Sequence, residues 1–233
     1  MKHLFLAVIA TGIIFATGCK KEKLIYSCNP NVNEWTINNK EKLSNINRSD
    51  LIKFDITYQK AIYRTLSPKK RHEIWKDKFV ELMNIAKWNV EEKEHLTNLI
   101  NSLNDGWFYG IDDSDPNILK QKNLFFKNWI NYSMKKFHWD RSFLFSILVS
   151  LDNPVKNGRL SSVNYNNRAV GGGGGLHDCS CSTEDDWCDG FFGPDLGDCD
   201  AGNCDASDLG CGTLWTYPCN GECVLHGLGG LRK

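Results

Sequence analysis

Between Asn33 and Ser150, apolar residues recur at three- and four-residue intervals almost without a break, the period of helices that bury one face. Five stretches are clearest. Asp55 to Leu66 sets Tyr58, Ala61, Ile62 and Leu66 along one side. Ser67-Pro68 places a capping hydroxyl before a proline at the first helical position, where its missing N–H is harmless. The helix it predicts runs through Ile74, Trp75, Phe79, Leu82 and Met83 to Ala86, one apolar stripe on a cationic cylinder. Asn89 with Glu92 three residues on has the capping-box pattern and opens a helix carrying Leu96, Leu99, Ile100 and Leu103. After the acidic turn Asp112-Asp113-Ser114-Asp115-Pro116, the run Leu119 to Phe137 offers Leu124, Phe125, Trp129, Tyr132 and Phe137. Asp140 to Leu151 closes the series with Phe143, Leu144, Ile147 and Leu148. About 115 residues with this many large apolar side chains are enough to bury a core. The expected architecture is mainly α, a small helical bundle over residues 33–151.

The pattern breaks at both ends. Met1-Lys2-His3 and the apolar run Leu4 to Phe15 read as a secretory signal over 1–18, too short to span a bilayer comfortably. Thr17-Gly18-Cys19 is similar to a bacterial lipobox, with Ala16 where that pattern prefers leucine. Cys19 is therefore the expected lipidation site, and acyl chains at about 0.8 kcal/mol per buried methylene would hold the chain on a membrane. An ordinary cleaved signal is the alternative. Residues 19–32 read as anchor and tether, and the expectation is an exported lipoprotein of the bacterial cell envelope.

Beyond the helices, residues 152–177 are dominated by Asn, Ser, Gly and Arg and contain five consecutive glycines, Gly171 to Gly175. Such a run predicts a flexible linker, because glycine loses the most backbone entropy on ordering. Residues 178–224 then hold Cys179, Cys181, Cys188, Cys199, Cys204, Cys211, Cys219 and Cys223, and residues 225–233 form a short tail. So small a Gly- and Asp-rich segment cannot offset its chain entropy by apolar burial alone. Export permits disulfides, and four bridges at about 2 to 4 kcal/mol each would staple it. The connectivity is open, except that Cys179 and Cys181 are too close to bond each other without strain. Cys28 is left over, to pair with Cys19 or another chain, or to stay reduced.

Charge divides the chain at the same place. The module 178–224 has eleven carboxylates and no lysine or arginine, a net charge of −11, whereas residues 19–177 carry +8. The glycine run and this split predict a module that moves independently, shielded in cis by the bundle until it is released. The basic residues are scattered along helices and not gathered beside stacking aromatics, so no nucleic-acid partner is expected.

The chemistry of the module admits several readings. Cys199/Cys204 and Cys219/Cys223, with His177 and His226 flanking, approach zinc-ligand spacing, but oxidation would consume the thiolates first. Asp195, Asp198, Asp200, Asp205 and Asp208 lack the register of a calcium loop, so a solvated acidic face is expected and no metal or other cofactor. Trp187, Phe191, Phe192, Leu214, Trp215 and Tyr217 are more apolar bulk than the module can bury alone. Trp187, Phe191, Phe192, Trp215 and Tyr217 are the candidate partner-binding surface, with packing against the disulfides as the competing expectation. The six histidines show no catalytic spacing, and neither G-x-S-x-G nor H-E-x-x-H occurs, so no catalytic residue and no small-molecule substrate is expected.

The lipobox, the segment Cys28-Asn29-Pro30-Asn31-Val32-Asn33-Glu34-Trp35, the run Gln59 to Pro68 leading to Trp75, and the eight-cysteine module together resemble the bacteriocin fulvocin C-related proteins of Bacteroidota. The resemblance implies an antibacterial module carried on a larger precursor or anchor, and it brings no catalytic residues. A module of −11 is repelled by anionic lipid, so killing would proceed through a protein receptor on the target cell or by chelation. An envelope lipoprotein with a non-toxic adhesive or ligand-binding head is the alternative.

Overall fold

The structure is a computed structural model and describes residues 25–110, 113–153, 155–156, 159–160, 180–192, 197–202 and 208–225. The signal segment, Cys19, the glycine run, Cys179, Cys204, His177 and His226 lie outside the described residues. The fold is mainly helical, with two small two-stranded sheets among the described residues. Helices α1 (Pro30–Leu43), α2 (Arg48–Leu51), α3 (Ile56–Thr65), α4 (Pro68–Ile85), α5 (Val90–Ser102), α6 (Pro116–Phe137) and α7 (Arg141–Leu148) form the helical part. A 3-10 turn, Asp105–Phe108, lies between α5 and α6. None of the described helices is long and apolar enough to cross a membrane.

Local chemistry sets the helix starts. Ser67 accepts from the Lys70 N–H, and Asn89 and Glu92 exchange the two reciprocal bonds of a capping box. Asp115 caps α6 with Pro116 at its first turn. The same device begins α1 earlier than expected: Asn29 accepts from the Asn31 and Val32 N–H groups, and Pro30 occupies the first turn. The tether assigned to 19–32 therefore ends as helix. At the far boundary, β1 (Val155–Lys156) pairs antiparallel with β2 (Arg159–Leu160), so the predicted linker 152–177 begins with a hairpin.

The module contributes a short helix, α8 (Cys188–Phe192), and an antiparallel pair, β3 (Gly197–Ala201) and β4 (Gly221–Leu225), in which Cys199 faces Cys223. Among the described residues three disulfides are formed: Cys181–Cys199, Cys188–Cys223 and Cys211–Cys219. Cys28 is half-buried against the last of these.

The core runs without interruption across both parts. Ile62, Tyr63, Trp75, Phe79, Leu144 and Leu148 of the helices are buried in one cluster with Trp187, Leu209, Leu214 and Trp215 of the module. An independently moving module is thereby corrected. The module alone lacks partners for these side chains, and each gains roughly 1.5 to 3 kcal/mol by leaving water, so the two parts share a core.

The apolar stripe of α4 also differs from expectation. Arg71 and Lys78 are buried in it, and they share one helix face with Trp75 and Leu82 because the four residues follow one another at spacings of four, three and four. The Lys78 ammonium donates to the carbonyls of Ser146, Ile147 and Ser150, and so caps the carboxyl end of α7. Burial drives its pKa well down. Arg71 donates to the carbonyls of Tyr63, Arg64 and Phe108 and locks the α3–α4 corner to the 3-10 turn.

Candidate functional site

The candidate site is the cysteine module together with the helical surface that receives it. Its centre is the segment Gly210–Tyr217. Gly210 and Gly212 have positive φ, and an added Cβ on Gly210 would lie 2.6 Å from Arg64 Nε, so this turn requires glycine there. Leu214 and Trp215 also sit in the left-handed region, at φ 52° and 56°, a conformation that costs side-chain-bearing residues of order 1 kcal/mol or more. The surroundings hold them there. Gly210 N donates to Trp215 O at 2.9 Å, Cys211 and Tyr217 exchange two backbone bonds of 3.0 Å, and Cys211–Cys219 closes the loop. Asp185 Oδ2 accepts from Thr213 N at 2.5 Å and from Trp187 Nε1 at 3.2 Å.

This turn delivers Leu214 and Trp215, both fully buried, into the helices. The Trp215 indole stands edge-on to Tyr63 at 5.2 Å and to Trp75 at 6.1 Å, and its Nε1 donates to Val149 O at 2.8 Å. The Tyr63 hydroxyl donates to Leu214 O at 3.1 Å, and burial holds that phenol protonated well above the usual tyrosine range.

Helix α3 is one receiving wall. Lys60 donates to Ser180 O at 2.9 Å and approaches Cys211 Sγ at 3.3 Å, and Arg64 donates to Leu209 O at 2.7 Å and Tyr26 O at 2.5 Å. Helix α6 is the second wall. Lys122 bonds Thr216 O at 3.2 Å and Oγ1 at 3.1 Å and lies 4.5 Å from the Tyr217 ring centroid, while the Tyr217 hydroxyl donates to Asn123 at 2.6 Å. Burial lowers the Lys122 ammonium to about 8, against the opposing pull of Asp185 and Glu184. Helix α7 is the third. Arg141 grips both Asp189 oxygens at 3.0 and 3.2 Å, donates to Asp186 O, and lies 3.9 Å over the Trp187 ring.

The predicted site residues divide accordingly. Trp187, Trp215 and Tyr217 are buried at 3%, 0% and 5% exposure, so they are corrected from an exposed binding surface to docking residues. The reason is the shared core, since the helices supply the apolar cover the module lacks. Phe191 and Phe192 belong to α8, but their side chains lie outside the described residues. The acidic residues are not uniformly solvated either. Asp185, Asp186 and Asp189 accept from backbone N–H groups, and Asp185 and Asp189 also bond side chains; Asp200 and Glu222 are exposed. Asp195 and Asp205 lie outside the described residues.

Sulfurs of Cys181, Cys188 and Cys223 lie within 4.8 Å of one another because two disulfides stack side by side. Bonded to sulfur, these atoms are not the thiolates that hold zinc. A histidine and a serine also meet at 2.8 Å, His95 Nε2 with Ser133 Oγ. Ser133 is fully buried and directs its own proton to Trp129 O at 2.8 Å, so the contact orients the imidazole and does not activate a nucleophile.

The buried cations escaped the sequence reading. Arg71 and Lys78 carried a signal in their spacing with Trp75 and Leu82, whereas Lys122 and Arg64 carried none, because their partners lie 94 and 145 residues away. No protein-family model, curated protein or solved structure matches the chain.

Proposed function

We propose that this is an exported, lipid-anchored, bacteriocin-like protein of the fulvocin C-related kind, whose helical part holds a disulfide-stapled acidic effector in a latent, docked state. The observation that carries this reading is the burial of Trp215 and Trp187 between the module and the helices. Aromatic anchors that could engage a receptor are occupied in cis, and the disulfide bridges would hold the module's shape after separation. Docking on the helices and docking on a target receptor then compete for the same face. Chelation has little to support it, since the carboxylates nearest the stapled centre already accept hydrogen bonds from the protein.

Mass spectrometry of culture supernatant and membrane fractions tests the proposal. A soluble fragment beginning near Gly175, lighter than its reduced form by eight hydrogens and toxic to susceptible cells, is the expected result. The shared core favours a second reading, a non-toxic binding head on an envelope lipoprotein, because separation would bare two tryptophans and Leu214 at once. Intact lipidated protein confined to membranes, with the cut module inert, would establish that reading instead.

A further inference from the structure

A groove with a volume of about 570 Å³ opens between α5 and α6, on residues the docking of the module does not use. At its base the His95 imidazole stacks flat on Trp129, with centroids 4.3 Å apart and planes 8° apart. Tyr132 and Phe137 rise beside it, 5.1 and 5.2 Å from the imidazole and 5.8 Å from each other. Glu91 and Glu94 stand on the rim, one helical turn before His95 and Asn98. Glu91 is engaged by Lys136 at 3.0 Å, an exposed pair, while Glu94 makes no ion pair among the described residues.

We infer that this groove binds a quaternary ammonium group, such as a trimethylammonium head, with Tyr132 and Phe137 as cage walls and Glu94 as counter-charge. Three observations converge on that chemistry. The rings meet at 37°, 52° and 75°, the corner of a cage and not the single flat platform that stacks a sugar. Their faces carry the negative quadrupole that attracts an organic cation. With Glu91 paired to Lys136, Glu94 leaves the rim net negative, which disfavours phosphates and carboxylates as ligands. The base adds no opposing charge, since burial holds the imidazole down to about 4 and therefore neutral near pH 7. The site stands apart from the cysteine module, and its occupancy does not depend on that module's fate.

Titration of the full chain with choline, read by tryptophan fluorescence and calorimetry, is the test, with 3,3-dimethylbutan-1-ol as the uncharged shape-match. Choline is expected to saturate the groove and to bind about three- to thirtyfold more tightly than the alcohol, the range spanned by cation–π attraction between exposed and desolvated settings. Glu94→Gln should weaken choline about threefold or more and leave the alcohol unchanged, and Tyr132→Leu should weaken choline by a similar factor. Both side chains are exposed, so far-UV circular dichroism should be unaltered. Equal affinity for choline and the alcohol would reduce the groove to an apolar cleft. Tighter binding of N-acetylglucosamine than of choline, or the lack of saturable choline binding, would equally overturn the assignment.

Discussion

Truncating Trp215 to alanine probes the shared core directly. The indole is fully buried, contacts Tyr63 and Trp75 edge-on, and bonds Val149 O at the end of α7. Tryptophan-to-alanine changes in such settings cost about 3 to 5 kcal/mol, and part of that is the Val149 carbonyl left without its donor. With a urea slope of roughly 2 to 3 kcal/mol per molar, the unfolding midpoint should fall by about 1.5 M. The readout is the helical far-UV signal of the oxidised protein, since nearly all helical residues lie outside the module. Val90→Ala, at 74% exposure, is the control and should change stability by less than about 0.5 kcal/mol. A Trp215→Ala protein whose helical transition stays at the wild-type midpoint would refute a common core and restore an independent module.

The bridges should rank by the chain they close: paired Cys→Ala removal is expected to cost about 4 kcal/mol for Cys188–Cys223, about 3 for Cys181–Cys199 and about 2.5 for Cys211–Cys219, from separations of 35, 18 and 8 residues. Urea unfolding of the three double variants checks the order. Lys122 binds its proton less tightly folded than unfolded, so the unfolded chain holds more protons between about pH 8 and 10 and stability should climb there by up to roughly 3 kcal/mol. Lys78 acts in the same direction, and above about pH 10 the buried hydroxyls of Tyr63 and Tyr217, which ionise only on unfolding, reverse the trend. Lys122→Met should flatten the climb, and an unchanged slope would show that the ammonium is solvated. His95 has a folded pKa near 4 against 6.5 unfolded, so stability should decline as pH falls from about 6.5 toward 4, and His95→Phe should reduce the decline measured by thermal unfolding at stepped pH.

What the sequence determined by itself is local. Helix starts at Pro68 and Val90 follow from Ser67 and Asn89, because a cap acts on N–H groups two or three residues away, whereas α6 begins at Pro116, inside the segment that reads as an acidic turn. The disulfide character of the tail follows from its poverty of apolar mass, and three of those bonds lie among the described residues. The sequence also showed that Trp187, Trp215 and Tyr217 exceed what the module can cover, without showing what covers them. Only the tertiary structure decided that. The turn Gly210–Tyr217, with two side-chain-bearing residues at positive φ, points Leu214 and Trp215 inward, and partners from 66 to 151 residues distant receive them. No periodicity encodes such pairings, because they depend on how helices distant in sequence pack. The cations of the interface are likewise decided by packing: Lys122 and Arg64 look like ordinary surface charges in sequence, and become buried donors only where the module's carbonyls close over them.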